Sequence, residues 1–123
     1  MGYTTDFWGS LEPSRELTVE ETDTINEIQG TRHEDGYNKG GSIWCQWIIE
    51  DGELKWDGGE KFYSYVGWLK YLISDYFEKW GIKFNGQIEF QGEDPDDKGV
   101  IEVIDNDVKV YGYCIDRLKE IDI

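Results

Sequence analysis

The chain has 123 residues, 38% apolar and 15% aromatic, which is enough to pack the core of one domain of ordinary size. It carries 27 acidic against 12 basic residues, a formal charge of −15 and a pI near 4.2. That balance argues against direct binding to nucleic acid or anionic lipid, which need clustered Lys and Arg to displace counterions.

Residues 3–8 carry Tyr, Thr, Phe and Trp, a strand composition. A helix is predicted over 19–29, with Thr18 and Glu21 at capping-box spacing, acids in the first turn and Gly30 to end it. Only Val19, Ile25 and Ile28 are apolar there, so the helix buries a narrow stripe and belongs on the outside of the fold. Residues 36–41 read as a glycine-bounded loop. The strand expected over 43–49 is apolar on both faces, which implies a central place or a face covered by a loop or partner. Asp51-Gly52 turns the chain into a second strand at 54–56.

The clearest element is a helix over 61–80. Phe62, Tyr65, Val66, Leu69, Leu72, Ile73, Tyr76, Phe77 and Trp80 fall on one face, Asp57 and Glu60 are placed to cap its start, and Gly81 to stop it. Ile82, Phe84, Ile88 and Phe90 then alternate with polar residues, a half-exposed strand. An acidic loop at 92–99 leads to strands at 100–104 and 108–115, joined through Asp105-Asn106-Asp107. Residues 116–123 read as a helical turn or a tail. The order β-α-β-β-α-β-β-β implies one α+β domain over 1–123, a mostly antiparallel sheet with the 61–80 helix on one face.

No apolar run approaches the ~18–20 residues of a membrane span. The opening residues lack the basic and apolar regions of a signal peptide, and Asp6 stands where a myristoylation signal needs Ser or Thr. Cys45 and Cys114 sit in strand-like runs without CxxC spacing, and the single histidine, His33, lies in a polar stretch. Buried reduced thiols and a cytoplasmic setting are the expectation.

Several strings resemble an uncharacterised family of small acidic bacterial and phage proteins: Tyr3-Thr4-Thr5-Asp6-Phe7, Trp44-Cys45-Gln46-Trp47, Trp56-Asp57-Gly58-Gly59-Glu60-Lys61-Phe62-Tyr63 and Trp68-Leu69-Lys70-Tyr71-Leu72-Ile73. Asn85-Gly86 and Gln91-Gly92-Glu93-Asp94 complete the pattern, which spans most of the chain outside 11–41. The family carries no known activity, so the resemblance assigns no functional residue. It implies a bacterial or phage gene.

The charge is uneven: residues 1–60 hold 14 acids and 4 bases, whereas 61–81 hold 2 acids and 3 bases. Glu20, Asp23 and Glu27 share one helix face, where like charges repel until a basic partner neutralises them. With Glu93, Asp94, Asp96 and Asp97 of the acidic loop, they are the candidate partner-binding residues. The partner class is a basic surface on a bacterial nucleic-acid-binding protein. Tyr63, Trp68 and Tyr71 lie off the main face of the long helix; core packing is their default role, and they are the candidate interface aromatics.

Other motifs are weaker. Asp94, Asp96, Gly99 and Asp105 mimic positions of a calcium loop, but Lys98 replaces one ligand, Asp105 replaces the bidentate Glu, and a hairpin turn explains the same residues. Glu89 and Glu102 are a conceivable cross-strand carboxylate pair of the sort glycoside hydrolysis uses. Gly40-Gly41 and Gly58-Gly59 match no phosphate-binding pattern. The expectation is a non-enzymatic phage or mobile-element inhibitor of a nucleic-acid-handling defence protein, acting by charge mimicry and occlusion, with no metal or cofactor. The alternatives are a ligand-binding or enzymatic domain using the aromatic-rich sheet and its carboxylates, and a virion or assembly component.

Overall fold

Period-two alternation along most strands places apolar side chains on one side of a single sheet, and the rest of the fold covers that side. The structure, a computed structural model, describes residues 4–29, 44–59, 62, 65–113 and 118–121. The strands are β1 (Asp6–Pro13), β2 (Trp47–Glu50), β3 (Glu53–Trp56), β4 (Phe84–Gln91), β5 (Lys98–Ile104), β6 (Asp107–Tyr113) and β7 (Leu118–Ile121). They form a seven-stranded sheet in the order β2-β3-β1-β4-β5-β6-β7, every pair antiparallel. Helices α1 (Val19–Gln29) and α2 (Tyr65–Leu72) complete an α+β fold. The expected element order is found, and β7 extends it where a helical turn or tail was expected. The loop at 36–41, His33, Tyr63, Cys114 and the capping role of Glu60 lie outside the described residues.

The first strand begins at Asp6 and reaches Pro13, later than its composition implied. It pairs with β4 along its whole length, Asp6 opposite Gln91 and Pro13 opposite Phe84. Two glycines permit this pairing. A Cβ at Gly9 would lie 2.6 Å from the Gln87 carbonyl oxygen and one at Gly86 2.7 Å from that of Ser10, and both glycines have positive φ. Tight hairpins follow the turn chemistry: Asp51-Gly52 and Asp105-Asn106 hold positive φ at both central positions, the geometry that matches strand twist.

The core lies between the sheet and the long helix. Phe7 is its aromatic centre, with ring centroids 4.9 Å from Tyr65, 5.3 Å from Trp56, 5.4 Å from Trp47 and 5.9 Å from Phe62. Phe77 packs on Phe84 at 4.5 Å, and the Trp47 indole N–H donates to the Tyr65 carbonyl at 2.8 Å, fixing α2 over the sheet.

The long helix is not one uninterrupted α-helix. Helical structure among the described residues begins at Tyr65, and α2 passes into a π-helical segment, Ile73–Phe77, in which the Glu78 N–H reaches back five residues to the Ile73 carbonyl at 2.8 Å. One extra residue in the turn rotates the helix beyond it by about 100°. The end follows the expected glycine stop: Gly81 has φ +73°, its N–H donates to the Glu78 carbonyl, and the Ile82 N–H donates to that of Phe77. The Asp57 carboxylate accepts from the Gly59 N–H at 2.7 Å and the Gln29 amide at 2.7 Å, and the helix start it was expected to cap, at 60–61, lies outside the described residues.

The strand at 47–50 is an edge strand rather than a central one. Its outer rim is closed by α1, where the Asn26 side chain accepts from the Ile49 N–H at 2.9 Å and donates to the Ile49 carbonyl at 3.1 Å. One amide thus replaces a neighbouring strand and blocks edge-to-edge pairing.

Candidate functional site

The acids of α1 are held by a well-capped helix. Thr18 Oγ1 accepts from the Glu21 N–H at 3.1 Å, and Glu21 Oε1 accepts from the Thr18 N–H at 2.9 Å, the capping box read from the sequence. Arg15 grips the same carboxylate with two bonds of 2.9 and 2.8 Å and donates to the Trp80 carbonyl at 3.1 Å. The Arg15 bond and the Thr18 N–H together bring the Glu21 carboxyl down to about 2. Glu21 therefore serves the helix start, leaving Glu20, Asp23 and Glu27 exposed along it.

The Asn26–Ile49 clasp determines which other charges join them. Glu50 and Asp51 follow the clasped Ile49 directly in the chain, and Glu53 stands opposite Glu50 on β3, so the hairpin beside α1 is itself acidic. Lys55 lies 3.7 Å from Glu50 and is the one basic side chain in this hairpin. Sequence reading missed these three acids as part of the surface. Their only signal was membership of a turn, and their proximity to α1 depends on the Asn26 contact, which leaves no periodic trace.

The acidic loop is elsewhere. Residues 92–97 join β4 to β5, three strand steps from β2, or about 14 Å of sheet. Glu93, Asp94 and Asp96 are exposed and Asp97 is half-buried. The loop is internally bonded: Gln91 donates to the carbonyls of Gly92 and Asp94, the Gly92 N–H donates to that of Asp97, and Glu93 accepts from the Thr4 N–H. The two sets of candidate acids therefore do not form one surface.

The structure also places the remaining candidates. Trp68 is fully buried, so it belongs to the core and not to an interface; Tyr71 is half-buried, with its ring 5.7 Å from that of Trp68 and 5.9 Å from that of Tyr76. Burial and the Tyr76 hydroxyl push the Tyr71 phenol up to about 12. The register sets Glu89 opposite Val100 and Glu102 opposite Gln87, whose amide donates to Glu102 at 3.1 Å, so the two glutamates are diagonal neighbours on an open sheet face and not a facing pair. The calcium-loop positions are split, with Lys98 and Gly99 in β5 and Asp105 in the turn beyond it.

Cys45 is buried and free, and burial pushes its thiol up to about 12, which keeps it protonated and a poor nucleophile at neutral pH. Among the described residues no three His, Cys, Asp or Glu side chains are grouped to hold a metal ion, and no helix is long and apolar enough to cross a membrane. A shallow groove of about 390 Å³ lies between the first turn of α1 and Trp80, lined by Thr18, Glu20, Glu21 and Thr24. A second, of about 260 Å³, lies where the π-helical segment meets the β5–β6 turn. No protein-family model, curated protein or solved structure matches this chain.

Proposed function

We propose that this is a non-enzymatic acidic binding protein that docks on the basic surface of a nucleic-acid-binding protein and occludes it. What supports the reading is the exposed acids Glu20, Asp23 and Glu27 of α1, a helix clasped to a hairpin that carries Glu50, Asp51 and Glu53. Carboxylates spaced along a rigid helix offer a partner's Arg and Lys the kind of array that phosphates present, and their field speeds encounter. The 93–97 acids add long-range attraction from another part of the surface. The resemblance to bacterial and phage proteins favours a phage or mobile-element inhibitor of a host defence protein.

Capture from a bacterial lysate on the immobilised protein, compared with its E20K/D23K/E27K variant, tests this reading. A basic nucleic-acid-binding protein retained by the wild type, released by salt and lost by the variant is the expected result. Equal retention by the variant would remove the α1 acids from the mechanism.

A further inference from the structure

The side of the sheet turned away from α2 mixes polar residues with Val100, Ile104 and Tyr111, and Trp8 is the large aromatic that stands most exposed on it. Trp8 projects from β1, near the middle of the sheet, and is 53% exposed. Among the described residues no ring contact or hydrogen bond engages it. Packing does not account for it, because Phe7, its chain neighbour, supplies the aromatic centre of the core on the other side.

Its charged neighbours are two carboxylates, with one base, Lys98, diagonal to Glu89 on the same face. Glu89 stands directly opposite on β4, within the ~5 Å Cβ spacing of a cross-strand pair, and Asp6 lies two residues before it on the same face; both are exposed. The same row continues through Val100, which is covered at 5% exposure, to the half-buried Tyr111, so the accessible part of the row is Trp8 and Glu89. A ring face beside a carboxylate suits a guanidinium, which stacks on the ring while its N–H groups bind the carboxylate.

From this juxtaposition we propose that Trp8 and Glu89 form an anchor for an arginine side chain of a basic protein partner, a second contact beyond the acids of α1. Charge complementarity selects that occupant: next to Trp8 the open face presents Asp6 and Glu89 against the single base Lys98, and the chain as a whole carries −15. Arginine is preferred to lysine because a planar, weakly hydrated cation uses both the ring and the carboxylate. The proposal rests on the binding-protein reading and locates part of its interface.

Titration of the isotope-labelled protein with hexa-arginine and, separately, hexa-lysine peptides, followed by backbone-amide and indole NMR signals, tests it. The expected result is a saturable shift of the Trp8 indole and the Glu89 amide, larger with arginine. W8A and E89Q should each weaken the arginine peptide by about two- to fivefold, while W8F retains most of the binding. Shifts confined to α1 and residues 50–53 would overturn the anchor and leave the binding-protein reading standing. Absence of saturable shifts anywhere would overturn both. Self-association in sedimentation that W8A abolishes would assign the face to a second copy and overturn the arginine anchor.

Discussion

The two faces of the sheet obey opposite rules. On the helix side, Phe7, Leu11, Phe84, Ile88, Phe90, Ile101 and Val103 are almost wholly buried, and aromatic rings from β1, β2 and α2 interlock. On the open side, β4 presents only Asn85, Gln87, Glu89 and Gln91, and β1 presents the exposed Trp8. The first face holds the chain together and tolerates little change. Apart from the covered Val100 of β5, the second face carries side chains from β1 and β4 that are mostly exposed and contribute little to stability, so their chemistry is free to serve recognition.

Substitutions that separate the faces sharpen this contrast. Phe77→Ala should cost the most, about 3–5 kcal/mol in urea unfolding, because it empties a fully buried site against Phe84. Gly9→Ala should cost about 1–3 kcal/mol, since neither the positive φ nor the Gln87 carbonyl accommodates a Cβ. Asn26→Ala should cost about 1–3 kcal/mol and raise hydrogen exchange at the Ile49 amide, whose partner it removes. Trp8→Ala should leave the unfolding midpoint nearly unchanged, within about 0.5 kcal/mol. A large loss there would show that the open face is structural after all.

The Glu21 bond gives a modest effect with a defined pH signature. Its carboxyl is lowered from 4.5 to about 2, so its stabilisation is fully present above about pH 4.5 and is lost as pH falls through about 2. The stability difference between wild type and Glu21→Gln should therefore shrink over that window. Solvent exposure of Arg15 keeps the difference modest at neutral pH.

Much of the fold was legible in the sequence because its signals are local. The capping box at Thr18 and Glu21, the Asp51-Gly52 turn, the stop at Gly81 and the alternation through β4 all depend on residues a few positions apart. The π-helical segment was not legible, because Tyr76, Phe77 and Trp80 also suit a continuous α-helix. Trp68 takes the core role that was its default, because α2 is covered on a wider arc than one apolar stripe implies. The doubly apolar strand at 47–50 suggested a central position, but its free edge is covered by one asparagine 23 residues earlier. The candidate acids themselves were visible as charge; which of them share a surface was set by that long-range contact.

Hydrogen exchange of the protein alone and bound to its captured basic partner tests the account most directly. The account predicts slowed exchange in α1, across residues 50–53 and around Trp8 and Glu89, with the 92–97 loop unchanged. A footprint confined to 92–97, or to the helix-covered face of the sheet, would contradict it.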